Sequence, residues 1–100
     1  MKTYTICGSM RFEQEMQEIA FYLETKKGMN ILQCIYCSKN LTAEEQQALS
    51  AAHKQKIDIS DGIYVLNLGG YIGESVAEEI MYAKKHGKEI RYHCIDGHIV

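Results

Sequence analysis

The chain has 100 residues, of which 46% are hydrophobic and 24% charged, and its formal net charge at pH 7 is −2. This length and composition indicate one globular domain, residues 1–100, with a modest core, and they exclude a disordered or fibrous chain. The charge balance argues against binding nucleic acid polymers or acidic membranes, and the apolar runs are too short for a membrane span or a secretion signal, which predicts a cytoplasmic protein.

The first part of the chain alternates a strand, a helix and a strand. Residues 3–7 (TYTIC) are rich in β-formers and predict a strand that ends at a Gly-Ser turn. From Phe12 to Leu23, apolar residues recur at offsets of four, seven, eight and eleven, which predicts an amphipathic helix running to about Lys27. Residues 30–37 (NILQCIYC) predict the second strand.

A second helix and a third strand follow. Thr42 and Glu45 have the spacing of a capping box, which predicts a helix over residues 43–56. His53 falls near the core-facing side of that helix, where a buried histidine with a hydrogen bond is the common outcome. Residues 63–66 (IYVL) form a short apolar run that is typical of a strand buried on both faces.

A glycine-rich loop leads from the third strand into a third helix. Gly69, Gly70 and Gly73 break the apolar pattern and allow the backbone to approach a ligand closely. Ser75 and Glu78 again have capping-box spacing, which predicts that the helix begins near Ser75.

The end of the chain completes the alternation. Residues 88–94 (KEIRYHC) predict a fourth strand, Asp96-Gly97 predicts a turn, and the tail after it predicts a short edge strand or a contact with a partner. Strands that alternate with helices at this spacing predict a parallel sheet with right-handed crossovers. We therefore expect a small doubly wound, Rossmann-like α/β fold of four to five strands, in the order 2-1-3-4, with helices on both faces.

In such a sheet the first and third strands are neighbours at the topological switch point, where α/β proteins place their ligands. Their carboxyl ends carry the turn at residues 8–11 (GSMR) and the loop at residues 69–75 (GGYIGES). A glycine, a hydroxyl and an arginine beside a helix amino terminus predict an anion site, and the alternative is a capped turn with a solvated arginine. The polar side chains within reach of the loop are those of Asn67, Tyr71, Glu74 and Ser75.

One acid of the third helix falls at the border of its core-facing side. At about 100° per residue, Val76, Ile80 and Ala83 occupy one narrow face. Glu79 lies roughly 60° from Val76 and about 40° from Ala83, whereas Glu78 points nearly the opposite way. Glu79 can therefore lean into a cleft beside the core, and the alternative is a border glutamate in a surface ion pair.

The four cysteines are expected to be reduced in a cytosolic chain. Cys34 and Cys37 form a single CxxC, with His93 and Cys94 further along. A lone CxxC is a weak signal for a zinc site or for thiol redox chemistry, so neither is predicted from it.

Three segments occur in a characteristic order: YTICGSMRF at residues 4–12, KIDISDGIYVLN at residues 56–67, and an ExxYA motif (EIMYA) at residues 79–83. With them the chain resembles, to about Tyr92, the nucleoside 2-deoxyribosyltransferase-like superfamily, which includes the 2'-deoxynucleoside 5'-monophosphate N-glycosidases. The resemblance implies that Glu79 is a nucleophile. It also implies that Gly8, Ser9 and Arg11 of the turn bind a 5'-phosphate and that the sugar lies over the loop with Gly70, Tyr71, Gly73 and Ser75. Asn67, within reach of that loop, is a further candidate substrate contact.

The resemblance implies an enzyme that cleaves the base–sugar bond of a nucleotide or nucleoside. Glu79 would attack C1' while the base departs, through a transition state with oxocarbenium character. The glycosyl ester would be released by water in a hydrolase or by a second base in a transferase. No metal or organic cofactor is implied, and a homodimer or higher homo-oligomer is expected, since a domain this small often completes its core or site by pairing.

Two positions depart from the family pattern. His53 stands eight residues before Asp61, where the family commonly has an aspartate, which makes His53 our candidate general acid. Gly73 stands six residues before Glu79, where the family has an aspartate or a phosphate-binding serine. The missing partner acids keep open a non-catalytic nucleotide-binding or sensing module on the same fold. Separately, GGYIGESVAEE is similar to the PGGxGTxxE loop of phosphoribohydrolases, although its proline and threonine are absent, which keeps a phosphoribohydrolase-like enzyme open.

Overall fold

The computed structural model describes residues 1–37, 40–95 and 98–99. In chain order its elements are β1 (Thr3–Cys7), α1 (Glu13–Lys26), β2 (Asn30–Leu32), α2 (Ala43–Asp58), β3 (Gly62–Val65), α3 (Glu74–Lys85), β4 (Glu89–Tyr92), β5 (Cys94–Ile95) and β6 (His98–Ile99). Short 3-10 turns, Met10–Phe12 and Leu68–Gly70, precede α1 and α3. None of the helices within these ranges combines the length and the apolar character that a membrane span needs.

The main sheet has four parallel strands in the order β2-β1-β3-β4, which confirms the predicted fold. β1 and β3 form its centre, with Tyr4 opposite Gly62 and Cys7 opposite Val65. A side chain at position 62 would collide with the backbone carbonyl of Glu89, so the glycine allows β4 to pair closely with β3.

An apolar cluster packs on each face of the sheet. The cluster on the α1 side consists of Tyr4, Ile6, Met16, Ala20, Leu23, Ile31, Tyr64 and Leu66. The cluster on the side of α2 and α3 consists of Cys7, Ile57, Ile63, Val65, Val76, Ile80 and Ala83. Ile6 and Cys7 fall in different clusters because successive side chains of a strand point to opposite faces. The last residue of β1 therefore faces the two helices that carry His53 and Glu79.

The predicted second strand was too long. β2 ends at Leu32 instead of continuing to residue 37, because its pairing with β1 covers only three positions. Beyond the strand, the backbone carbonyl of Gln33 accepts a hydrogen bond from Nζ of Lys56, at 2.7 Å, and so is satisfied by a side chain of α2.

One of the two predicted capping boxes is present and the other was wrong. At the start of α2, the Glu45 N–H donates to Oγ1 of Thr42 at 3.1 Å, and the Thr42 N–H donates to Oε1 of Glu45 at 2.9 Å. The helix α3 begins at Glu74, and its N-cap is Gly73, which supplies no side-chain hydrogen bond. Ser75 lies inside the first turn, so its hydroxyl is past the cap position.

The tail forms a strand, although not at the edge of the main sheet. β6 pairs with β5 in a separate antiparallel ladder, in which Cys94 is opposite Ile99 and Ile95 is opposite His98. The predicted turn at Asp96-Gly97 lies outside the described residues.

Replacing Thr42 by Ala should destabilise the fold, because the amino terminus of α2 loses a hydrogen-bond acceptor. We expect the free energy of unfolding to fall by about 1 kcal/mol. Ser75→Ala is the matched control and should change it by less than about 0.5 kcal/mol. Urea denaturation followed by circular dichroism measures both, and a larger loss for Ser75→Ala than for Thr42→Ala would contradict the assignment of the caps.

Candidate active site

A cavity of about 620 Å³ opens at the carboxyl end of β1, between the turn after β1, the segment after β2, the helix α2, and the start of α3 with the loop before it. This is the switch point of the sheet, where the sequence predicted a site. The predicted site residues in its wall are Gly8, Ser9, His53, Tyr71, Gly73, Ser75 and Glu79.

Glu79 is the acid that leans toward the core, as its position on the helix predicted. Its side chain is 20% exposed, and its Oε1 lies 3.6 Å from Nε2 of His53. Glu78, its neighbour, is exposed. Burial raises the pKa of Glu79 to about 7, with a smaller upward contribution from Glu78, whereas the Cys7 thiol and Lys54 oppose the shift. The carboxyl group therefore titrates near neutral pH.

His53 lies beneath Glu79 in the wall of the cavity. Its side chain is 9% exposed, and Nε2 lies 3.5 Å from Sγ of Cys7. Among the residues that the structure describes, its buried Nδ1 has no hydrogen-bond partner. Burial, with a contribution from the Lys56 charge, lowers the pKa of His53 to about 4, so the imidazole is uncharged near neutral pH.

Between about pH 4 and pH 7, the contact between His53 and Glu79 joins two uncharged groups. Their separation of 3.6 Å would suit an ion pair. Burial disfavours both charges, however, and moves the two pKa values apart, to about 4 and about 7. Between these pH values a neutral imidazole faces a neutral carboxylic acid, because removing two charges from water costs more than their attraction returns.

Cys7 belongs to this group, and the sequence reasoning missed it. The thiol is 1% exposed, and burial raises its pKa well above the usual range, with further contributions from Glu79. Its Sγ, a ring nitrogen of His53 and a carboxylate oxygen of Glu79 lie within 4.8 Å of one another, so these three atoms could share a metal ion. The sequence signal that could have identified Cys7 was the alternation of side chains along the first strand, which turns Cys7 toward α2 and α3.

Arg11 is stacked on an aromatic ring. Its guanidinium lies 3.8 Å from the ring centroid of Tyr71, and the ring of Phe12 meets Tyr71 edge-on at 6.0 Å. The hydroxyl of Ser9 accepts a hydrogen bond from the Arg11 N–H at 3.3 Å and so caps the 3-10 turn. Arg11 therefore packs against Tyr71, which lines the cavity, but Arg11 itself is not in the cavity wall. Its role in phosphate binding stays a prediction.

Asn67 and Gly70 shape the loop and lie outside the cavity wall. Nδ2 of Asn67 donates to the backbone oxygen of Cys94 at 2.9 Å, and its Oδ1 accepts from the Cys94 N–H at 2.8 Å. Gly69 and Gly70 have φ values of +63° and +78°, a conformation that favours glycine. The predicted contacts of Asn67 and Gly70 with substrate stay predictions.

Two lysines of α2 were missed as candidate site residues. Lys54 directly follows His53, Lys56 lies three residues after it, and both line the same cavity. They bring positive charge to a wall that also carries Glu74, Glu78 and Glu79. The signal in the sequence was their closeness to His53 along the helix. Lys54 is the next residue, and Lys56 lies about one turn beyond Ala52 and His53.

No family model, curated protein or solved structure matches this chain. The family resemblance is therefore carried by the three quoted segments alone.

In metal-free protein, Glu79→Gln should change the pH dependence of stability. The pKa of Glu79 is about 7 in the folded chain and 4.5 ordinarily, so its stabilising contribution is complete below about pH 4.5 and is lost as pH rises through 7. Glu79→Gln has no carboxyl group that titrates at this position, so its stability does not fall in this way as pH rises. We expect the difference in free energy of unfolding, variant minus wild type, to rise by about 1.4 kcal/mol per pH unit between about pH 5 and pH 7 and then to level off.

Urea denaturation at a series of pH values, with a chelator present, measures this difference. The contribution of His53 has the opposite sign, since its lowered pKa gives stability that is present above about 6.5 and is lost as pH falls through about 4. It cancels in the comparison of Glu79→Gln with wild type. Glu78→Gln changes an exposed carboxylate on the same helix, and an equal pH-dependent difference for that control would contradict the burial effect at Glu79.

Proposed function

We propose that the protein is an N-glycosidase or deoxyribosyltransferase that cleaves the base–sugar bond of a nucleotide or nucleoside, with Glu79 as the nucleophile. The observation that carries this proposal is a mostly buried carboxylate in the wall of the switch-point cavity. The position of Glu79 in the ExxYA motif supports the same role from the sequence. Sheets of this kind bind small ligands at this place.

The surroundings of Glu79 suit nucleophilic attack. A pKa of about 7 leaves a substantial ionised fraction at neutral pH, and a desolvated carboxylate is more reactive than one in water. An oxygen of Glu79 forms a bond to C1' as the C1'–N bond breaks, and the bonding electron pair leaves with the base. Water or a second base then attacks C1' and releases the glutamate.

We assign His53 a positioning role. An imidazole whose pKa is about 4 is uncharged at neutral pH and is therefore a weak donor of a proton to the leaving base. An Nε2–H tautomer can instead donate to the Glu79 carboxylate once a small rotation shortens the 3.6 Å separation. This favours positioning over the general-acid role that the sequence indicated.

The cavity offers the size and the groups that a nucleotide needs. A volume of about 620 Å³ lies within the usual range for small-molecule sites. The ring of Tyr71 supplies an aromatic surface for a base, and Lys54 and Lys56 supply positive charge for a phosphate. Binding energy from the phosphate would orient C1' against Glu79.

A homodimer is part of the proposal. Ile35 is 61% exposed and, with exposed residues of α2 such as Ala52, borders the cavity. A second copy seated there would bury this apolar edge and close the site from water.

A non-catalytic nucleotide-binding module is the second candidate. The uncharged state of His53 favours it, because this side chain is then a poor general acid. A base-release assay decides between the two candidates.

Glu79→Gln should abolish base release by removing the nucleophile. Wild-type protein is incubated with nucleosides and nucleoside monophosphates, ribo and deoxy, with and without an acceptor base, and free base is measured by chromatography. We expect the rate to fall by at least about 10³-fold in the variant. Glu78→Gln is the matched control and should stay within about threefold of wild type.

Equal behaviour of the two glutamate variants would contradict the nucleophile assignment. Absence of base release from every substrate, together with measurable binding of one of them, would support the binding module. Release from ribonucleotides alone would identify the phosphoribohydrolase-like alternative.

Arg11→Ala should weaken the handling of monophosphates more than that of nucleosides. If the guanidinium contacts the phosphate, its loss should raise KM for monophosphates by about 10- to 100-fold. The exposed Lys27, which lies outside the cavity, gives the control Lys27→Ala. Equal losses for both substrate types would mean that Arg11 acts by supporting Tyr71, and a selective loss in Lys54→Ala would transfer the phosphate contact to α2.

A further inference from the structure

Three metal-ligating side chains from three different elements meet at the inner end of the cavity. Cys7 ends β1, His53 lies on α2 and Glu79 lies on α3. Sγ of Cys7 is 3.5 Å from Nε2 of His53, which is 3.6 Å from Oε1 of Glu79. Within the described part of the chain, these are the side chains whose donor atoms group within 4.8 Å of one another.

We propose that Cys7, His53 and Glu79 bind a divalent cation of borderline softness, Zn²⁺ in the first place, and that the bound ion blocks Glu79. The inhibitory part of this inference rests on the proposed function, whereas the binding part stands on the geometry alone.

The distances fit a tetrahedral zinc site. Bonds from Zn²⁺ to sulfur, nitrogen and oxygen of about 2.0–2.3 Å place neighbouring ligand atoms about 3.3–3.6 Å apart. The sulfur–nitrogen and nitrogen–oxygen distances, 3.5 and 3.6 Å, already lie at this value. The remaining edge, between the donor atoms of Cys7 and Glu79, is at most 4.8 Å, and rotation of the flexible glutamate side chain would shorten it.

The chemistry of the three donors also suits this ion. Thiolate, imidazole and carboxylate are the common zinc ligands in proteins. Two anionic ligands and one neutral imidazole carry two negative charges, which balance the charge of Zn²⁺. A site without net charge is favourable where all three side chains are largely buried. Binding forms the Zn–S and Zn–O bonds and releases the thiol proton, and any carboxyl proton, to solvent.

The cavity gives the ion a way in and a fourth position. His53 and Glu79 line the cavity, so the side of the group that faces it is open to water. A water molecule can complete the tetrahedron from there. The imidazole is held nine-tenths buried with Nε2 directed into the group, so this ligand is already in place.

Zinc binding would inhibit the proposed reaction. Coordination of one Glu79 oxygen would draw electron density from the whole carboxylate and fix its orientation toward the ion, so neither oxygen would be a free nucleophile for C1'. The ion would also occupy the space beside the carboxylate that the sugar needs. The level of free Zn²⁺ would then set the active fraction of the protein.

Direct binding is tested on full-length, metal-free protein. Zn²⁺ is titrated in competition with a chromophoric chelator, and Co²⁺ is used as a spectroscopic probe of thiolate coordination. We expect one ion per chain and a thiolate-to-Co²⁺ charge-transfer band. Because even outer-shell changes weaken metal sites by about 10- to 100-fold, Cys7→Ser should weaken Zn²⁺ binding by at least that factor and should remove the band.

Cys37→Ser is the matched control, because Cys37 is a thiol in the wall of the cavity that does not belong to the group of three. It should leave both measurements unchanged. If it, and not Cys7→Ser, removed the binding, the CxxC pair would be the site and the inference would be overturned. Glu79→Gln covers the case in which the buried Cys7→Ser variant fails to fold, and unchanged binding in Glu79→Gln would equally overturn it.

Inhibition is tested as the ratio of base release with and without Zn²⁺ in each protein. Wild type should lose activity with one equivalent of Zn²⁺ and regain it with a chelator, whereas Cys7→Ser should show a ratio near one. Wild-type activity that is insensitive to Zn²⁺, in protein shown to bind it, would overturn the inhibitory role. If metal-free protein released no base from any substrate, the proposed function would be wrong. The metal site would then be decided by the binding measurements alone.

Discussion

The parallel pairing of β1 with β3 is the contact on which the rest of the structure depends. It lies at the centre of the sheet, and its residues are almost wholly buried. Polar contacts at its start fix the register: the hydroxyls of Thr5 and Ser60 lie 2.7 Å apart, and the Thr3 N–H donates to Oδ2 of Asp61 at 2.8 Å. A slip of one residue would turn Cys7 away from α2 and α3 and would separate the two loops that frame the cavity.

The group formed by Cys7, His53 and Glu79 sets a stability requirement on the fold. Each polar group is removed from most of its water, and the hydrogen bonds it receives in return are few and long. A chain of 100 residues has little stability to spare. Such a group persists because the apolar clusters around it hold the strand and the two helices in place, which is the usual arrangement at functional sites.

The existence of the strands and helices could be predicted because it depends on local periodicity, and the strand order followed from their alternation along the chain. The same reasoning placed Glu79 at the border of its helix, since that follows from helix geometry alone. It missed the meeting of Cys7 with His53, which are 46 residues apart, because no spacing rule connects two positions brought together by packing. The stacking of Arg11 on Tyr71, the short β2 and the glycine cap of α3 were missed for the same reason, since each depends on what another segment does.

The amide of Asn67 links the loop that frames the cavity to the tail of the chain. It stands directly after β3, at the start of the loop that frames the cavity, and both of its ends are bonded to the backbone of Cys94, the first residue of β5. These two hydrogen bonds couple the loop to the β5–β6 ladder. A load that pulls β5 from its position must either break both hydrogen bonds or carry the start of the loop with it, so the position of the tail is coupled to the mouth of the cavity.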